Sequence, residues 1–417
     1  MATHDSSNPA AAAVSPPPAQ AGVDAMLAAW RAGDPEDCAA RCRQILAIDP
    51  GQAHARLMLG VMAAQRGDSP QALAHFDAAA ERAPEMAAVH NNRGHTLHRI
   101  GRWHEAVASY DRALALGRVD ANALSHRADA LHRIGRFEAA LQSYDRAIAL
   151  EPDLADAMIE RADLLIDMGR PEDAAAALEQ ARGAGADGPT IDFALAALGL
   201  APIAAASPPG YVRQLFDEYA ERFDSHLVGH LGYRGPALID GLISRLALPP
   251  VAAAVDLGCG TGLCGPILRP RAARLVGVDL APKMLEQAQR RGLYDELVCE
   301  ELTAFAAGTP AQFELAVAAD VMNYFGDLAA PLAALRGMLR PGGWLVFTIE
   351  LDEAAAVALQ RSRRFAHSAD HVREAASATG FSVEAFEHGV LRRERNADVA
   401  CGLWALRLSG PAAATGS

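Results

Sequence analysis

The stretch VDLGCGTGLCG, residues 255–265, decides how this chain reads. An apolar run at 251–255 has the character of a buried strand; Asp256 follows, then Gly258, Gly260 and Gly262, and from Leu263 a helix can begin. Glycines at alternate positions let the backbone turn sharply and approach a ligand closely, because no Cβ stands in the way. A carboxylate at the strand tip beside such a turn suits a cationic group, an ammonium or a sulfonium. A pyrophosphate would favour the bare positive end of the helix instead.

Outward from that turn, strand and helix patterns alternate, the signature of an open parallel sheet with helices on both faces. Strands are expected near 251–256, 274–279, 296–300, 313–319, 343–350, 382–389 and 399–408. The last two flank 391–396 and read as an antiparallel hairpin.

Three motifs make a resemblance specific. VDLGCGTG, VGVDLAPKML at 276–285 and LRPGGWLVF at 339–347 together resemble the class I S-adenosylmethionine-dependent methyltransferases. The stretch YVRQLFDEYAERFDSHLVGHLGYRGP, at 211–236, is similar to bacterial predicted methyltransferases that carry tetratricopeptide repeats on their N-terminal side. The resemblance implies an α/β Rossmann-like domain with a seven-stranded, mostly parallel sheet whose last strand runs antiparallel, and S-adenosyl-L-methionine as cofactor. Under it Asp256, Gly258, Gly260 and Gly262 form the cofactor loop, and Asp279 accepts both ribose hydroxyls. Leu280 packs the adenine, Glu301 and Leu302 follow the third strand near the adenine amino group, and Asp320 opens the loop under the methionine part.

A competing motif overlaps this one. Gly260, Gly262 and Gly265 satisfy GxGxxG, with Asp279 at the distance of the ribose-binding acid of nicotinamide enzymes. That match sits two residues out of phase with the strand end and leaves Asp256 without a role. The PGG at 341–343 adds weight to the methyltransferase side.

Methyl transfer from a sulfonium is an in-line displacement that asks mainly for donor and acceptor to be held in contact. A carboxylate or neutral amine acceptor needs no base. A phenol or alcohol does, and His367 in FAHSADHV and His226 in FDSHL are the candidates, with helix capping or pocket lining as their plainer alternative. Tyr211, Phe216, Tyr219 and Phe223 form one helical stripe. Packing is its ordinary role; in the resembling family this segment is a lid, where an aromatic face such as that of Tyr219 attracts the sulfonium.

Upstream the chain repeats. Gly33, Gly67, Gly101, Gly135 and Gly169 recur every 34 residues, the tetratricopeptide period. Small residues such as Gly60, Gly94, Ala128 and Ala162 keep the same phase, as do the large Phe76, Tyr110, Tyr144 and Leu178. Five repeats are expected over 21–186 in an all-α superhelix, then a capping helix at 187–200, a Pro/Ala linker at 201–210 and the methyltransferase domain at 211–410. The tails 1–20 and 411–417 should be disordered. The phase assigns residues such as Asn91, Asn92, His95, His98, Ser125, Asp129, His132 and Asp163 to the concave side, a surface for a protein or peptide partner or simply a solvated face.

Composition bounds these readings. A net charge of −13 and a pI near 5.5 argue against a general electrostatic grip on nucleic acid. No leader, anchor or span of about 20 apolar residues stands out, so a cytoplasmic protein without membrane contact is expected. The six cysteines, at 38, 42, 259, 264, 299 and 401, form no CxxC pair, and no metal site is expected. Two hypotheses remain at this stage: an active methyltransferase whose repeats recruit its acceptor, or an interaction scaffold that binds the cofactor without useful catalysis.

Overall fold

The structure is a computed structural model, and the residues described are 18–117, 120–394 and 397–409. The segments expected to be disordered lie outside them, except that 18–20 open the first helix. Two compact units divide the chain, Met1–Pro152 and Asp153–Ser417.

The first unit is built of antiparallel helical pairs: α1 (Pro18–Arg31) with α2 (Pro35–Ile48), α3 (Ala53–Gln65) with α4 (Ser69–Arg82), α5 (Ala87–Arg99) with α6 (Trp103–Ala115), and α7 (Ala121–Arg133) with α8 (Phe137–Leu150). The turn inside each pair carries one of the periodic glycines, at φ between 75° and 78°, a conformation that costs other residues about 1–2 kcal/mol. Asp34 and Asp68 then accept the N–H groups of Asp37 and Gln71 and cap the second helix. Within a pair the helices nearly touch: a Cβ on Gly60 would lie 2.5 Å from the Phe76 ring, and one on Gly94 2.9 Å from Tyr110. Polar ties repeat with the same period. Arg93 donates to Asp77 and to Ser109, each at 2.7 Å, and Arg127, 34 residues on, donates to Asp111 at 2.7 Å and to Ser143 at 2.5 Å. Cys38 and Cys42 lie in the core with Met26, Met58 and Met62.

The second unit opens with three more helices, α9 (Ala155–Asp167), α10 (Pro171–Gly183) and α11 (Gly188–Ala197). After α12 (Pro209–Tyr219), a π-helical turn at Ser225–His230 and α13 (Gly235–Arg245), the sheet begins. In chain order come β1 (Val251–Leu257), α14 (Gly265–Leu268), β2 (Ala272–Asp279), α15 (Pro282–Arg291), β3 (Glu296–Cys299), α16 (Leu302–Gly308), β4 (Phe313–Ala318), α17 (Ala329–Met338) and β5 (Leu339–Glu350). Then follow the short β6 (Val357–Leu359) and β7 (Phe365–His367), α18 (Ala369–Ala378), β8 (Phe381–Glu394) and β9 (Ala397–Leu408).

Seven strands form one sheet in the order β3-β2-β1-β4-β5-β9-β8. All neighbours from β3 to β5 pair in parallel, and β9 runs antiparallel to both β5 and β8. One face packs on α16, α17 and α18 through Phe305, Leu332, Leu335 and Val372; the other packs on α13 and α14 through Ile239, Leu242 and Leu268. This is the doubly wound, mostly parallel architecture expected from the alternating pattern.

Three details differ from that expectation. β5 begins at Leu339 rather than near 343, pairing with Phe313 across a register shift. β6 and β7 add a two-stranded ribbon, too short to show an alternating pattern. β8 continues through Leu391–Glu394, where charged residues read as loop, because their charges find partners inside the fold. The stretch 201–210 is also fastened to the domain: Ser207 N–H donates to Tyr324 O, and the N–H groups of Gly326 and Asp327 donate to Ala205 O, each at 2.8 Å. Among the described residues no helix is long and apolar enough to cross a membrane.

Candidate functional site

Strand order reverses between β1 and β4, so the connections leaving their C-terminal ends diverge and open a crevice there. The glycine turn lies at that point. Gly258, Gly260 and Gly262 have φ of 62°, 54° and 87°. A Cβ on Gly258 would meet Val321, after β4, at 2.6 Å, so this bend requires glycine both conformationally and sterically.

Asp279 ends β2 beside the turn and stays partly exposed. Its Oδ2 accepts the Gly260 N–H at 2.8 Å and its Oδ1 the Ala281 N–H at 2.9 Å. A carboxylate oxygen has a second lone pair, so both oxygens can still accept a hydroxyl. Burial pushes this carboxyl up to about 6, against the opposing pull of those N–H groups. Asp256 behaves differently. It is 1% exposed, and its Oδ2 accepts from Tyr294 Oη at 2.7 Å. Burial raises it to about 7. Tyr294 also packs beside Gly262, Gly265 and Gly277, so Asp256 works through this ring at the floor of the loop, where the motif alone suggested a flanking charge.

Glu301 caps α16, accepting the Ala304 N–H at 2.9 Å and the Thr303 hydroxyl, both on Oε2. Leu302 next to it is buried in the core and Leu280 is half-buried.

Asp320 follows β4 with φ of 59°, a left-handed conformation uncommon for a residue other than glycine. It is held on several sides. Its N–H donates to Thr348 Oγ1 at 2.9 Å; Asn323 Nδ2 donates to Oδ1 at 3.0 Å; Arg392 Nη1 reaches Oδ1 at 3.2 Å and Oδ2 at 3.0 Å. Arg392, 1% exposed, also binds Glu350, and it donates to Glu394 at 2.6 Å; Arg364 donates to Glu394 at 2.8 Å. Burial opposes ionisation of Glu394, but the two guanidiniums hold it down to about 2. Sequence reasoning missed Arg392, Glu350, Arg364 and Tyr294. The density of basic residues in LRRER was the available signal, and it reads equally well as an exposed hairpin.

The segment from Tyr211 lies across these tips. Phe216 and Phe223 pack with Ala220 on Ala281 and Met284, and Phe216 meets the Tyr324 ring edge-on at 5.8 Å. Asp217 accepts the Lys283 N–H at 3.0 Å, and Asp224 accepts the Thr261 hydroxyl at 2.5 Å and pairs with Arg291. The catalytic candidates are scattered around this segment. Tyr219 and His226 are hydrogen-bonded to each other, with His226 exposed on the π-helical turn. His367 is fully buried on β7, and its Nε2 donates to Phe325 O at 2.9 Å. Burial lowers it to about 4. The bond to Phe325 O braces the loop after β4. Among the described residues no cluster of metal-ligating side chains forms.

A doubly wound sheet closed by one antiparallel strand, with a glycine turn and strand-tip acids at its reversal point, defines a methyltransferase-type domain; helical pairs of 34-residue period define tetratricopeptide repeats. Comparison with known families agrees. Residues 255–347 match the methyltransferase domain family, and 23–87, 85–150 and 131–198 match tetratricopeptide repeat families. The biotin biosynthesis bifunctional protein BioCD of Bordetella avium is 32% identical over 152 residues, 35% of this chain and 32% of that protein. A ubiquinone biosynthesis O-methyltransferase of Leptothrix cholodnii is 30% identical over 99 residues, 22% of this chain and 41% of that protein. The chain thus spans well under half the length of these curated relatives. A solved SAM-dependent methyltransferase of Leishmania major aligns over 48% of this chain and 82% of its own, at 17% identity and a TM-score of 0.40. The chain joins tetratricopeptide repeats to a methyltransferase domain, a match that supports S-adenosylmethionine as its cofactor. Its residues fit that group: a bend only glycine can make, a part-exposed carboxylate with spare acceptor sites, and aromatic cover.

Proposed function

We propose that this chain is an S-adenosylmethionine-dependent methyltransferase, with residues 211–410 as its catalytic domain and the upstream repeats bringing a protein to it, either as acceptor or as the carrier of one. The observation that supports this best is Asp279, locked to the glycine turn by the Gly260 amide while it stays partly exposed at the tip of β2.

Asp279 would take the two ribose hydroxyls, Leu280 an adenine face, and Glu301, beside Leu302, the adenine edge through Oε1. Gly258, Gly260 and Gly262 bring the backbone close, with Asp256 fixing the floor through Tyr294. Asp320 orients the loop under the methionine part. The cofactor supplies a methyl carbon already activated by a sulfonium. The protein then has to align donor and acceptor and exclude water, a contribution of roughly 7–11 kcal/mol in favourable cases. An amine or carboxylate acceptor suits this site, since His367 is buried and committed to Phe325 O. For an acceptor that must lose a proton, the Tyr219–His226 pair on the lid is the remaining candidate.

Incubation of cell extracts with methyl-labelled cofactor tests the reading, comparing the full chain with Asp153–Ser417, cut where the two compact units divide. Label should enter protein with the full chain and fall at least several-fold with the shorter one, while cofactor affinity stays the same. Equal labelling would contradict recruitment by the repeats. Cofactor binding with no labelled acceptor of any kind would leave an interaction scaffold.

A further inference from the structure

Arg363 joins helix α9 to the lid. It sits in the loop between β6 and β7, with φ of 59° and a side chain 8% exposed. A bulky residue held in that backbone region is strained and persists only where its surroundings over-determine it. Here they do. Its guanidinium pairs with Asp163 on α9 and lies 5.6 Å from the centre of the Tyr211 ring, in the first turn of α12. Phe193 of α11 completes the cluster, with ring centres 5.8 Å from Tyr211 and 5.9 Å from Phe365. From Tyr211 the same helix runs to Phe216 and Asp217, which touch Met284 and the Lys283 N–H beside the β2 tip.

We propose that Arg363 is the positioning residue that holds the lid closed over the cofactor crevice, using Asp163 on the last helical pair as its anchor, so that drawing Asp163 away from Arg363 loosens the grip on the cofactor. The inference rests on the reading of 211–224 as a lid over an S-adenosylmethionine site. Three observations carry it together. The backbone at Arg363 is held in the left-handed region. Its two partners come from different elements, α9 and α12. The lid is tied down at its far end by Asp217 and Asp224 and through the backbone of Ser207 just before it begins, and Tyr211 adds the side-chain fastening of its first turn. A guanidinium satisfies both partners at once, pairing with a carboxylate edge-on and stacking on an aromatic face; an ammonium does only the first.

The test uses the full chain, with Arg363→Ala, Arg363→Lys and Asp163→Asn. Each is read by calorimetric titration with S-adenosylmethionine and by hydrogen exchange of the 209–219 amides, with the β9 amides as internal reference. Asp163→Asn lies outside the methyltransferase fold and keeps the side-chain volume, which guards against a folding defect. Arg363→Ala and Asp163→Asn should each weaken cofactor binding about five- to tenfold and speed exchange in α12 but not in β9, with the double variant no worse than the single ones. Arg363→Lys should recover only part of the affinity. Unchanged affinity and unchanged α12 exchange in both single variants would overturn the proposal. A fall in melting temperature with uniform exchange would overturn it too, by making Arg363 a general structural residue. Wild-type protein that binds no cofactor at all would instead sink the reading on which the proposal stands.

Discussion

The Gly260 amide donates to Asp279 Oδ2 at 2.8 Å, so the tip of β2 reaches across to the turn that leaves β1. One carboxylate thereby shapes the glycine loop and keeps lone pairs for a ligand. The fold positions both partners by pairing β1 with β2 in register, Leu257 opposite Val278.

The bend itself should tolerate no side chain. Gly258→Ala would force a left-handed φ on alanine, at about 1–2 kcal/mol, and press its methyl onto Val321. Lower stability and weaker cofactor binding should appear together in denaturant melts and titration. Gly183→Ala, in open space at the end of α10, should change neither. Wild-type affinity in Gly258→Ala would show that the bend adapts.

Asp256 and Asp279 give stability a pH dependence of known sign. Both folded-state values are raised, to about 7 and about 6, so the folded state binds more protons than the unfolded chain between about pH 4 and 7. Their contribution to stability is present below pH 4 and is lost as pH rises through 7. Asp256→Asn should therefore gain on the wild type across that window, on the order of 2–4 kcal/mol, and run parallel to it above pH 8. Thermal melts from pH 4 to 9 check this, and parallel curves throughout would contradict it. Cofactor affinity should move the opposite way, rising with pH as Asp279 becomes a full acceptor.

Arg392 is the buried centre of three carboxylates. Arg392→Met leaves Asp320, Glu350 and Glu394 with one guanidinium fewer, and should cost about 3–5 kcal/mol. The Glu394 carboxyl is held low, so its contribution is present above pH 4.5 and is lost as pH falls toward 2. That acid limb should flatten in the variant. An exposed, dispensable Arg392 would show instead as an unchanged melting curve.

The repeats and the sheet were legible because they rest on periods. A glycine every 34 residues marks a left-handed turn, and apolar runs broken by glycine turns mark buried parallel strands. The polar side of the site was less legible. Nothing in LRRER says that Arg392 is buried, because burial of a charge depends on Asp320 and Glu350 arriving from strands far away in the chain. The burial of His367 was hidden for the converse reason: its surroundings in sequence look polar, yet β6 and the loop after β4 bury it completely. Asp256 sits in the motif as expected, but its partner Tyr294 lies 38 residues on, outside any local pattern.

Calorimetric titration of the full chain with S-adenosylmethionine, beside Asp279→Asn, tests the central claim most directly. Two charge-assisted hydrogen bonds at about 1.5–3 kcal/mol each bound the loss at about 3–6 kcal/mol. The wild type should bind, and the variant, equally well folded, should bind on the order of a hundredfold more weakly or worse. No heat from folded wild-type protein, or equal affinity in both proteins, would contradict the account.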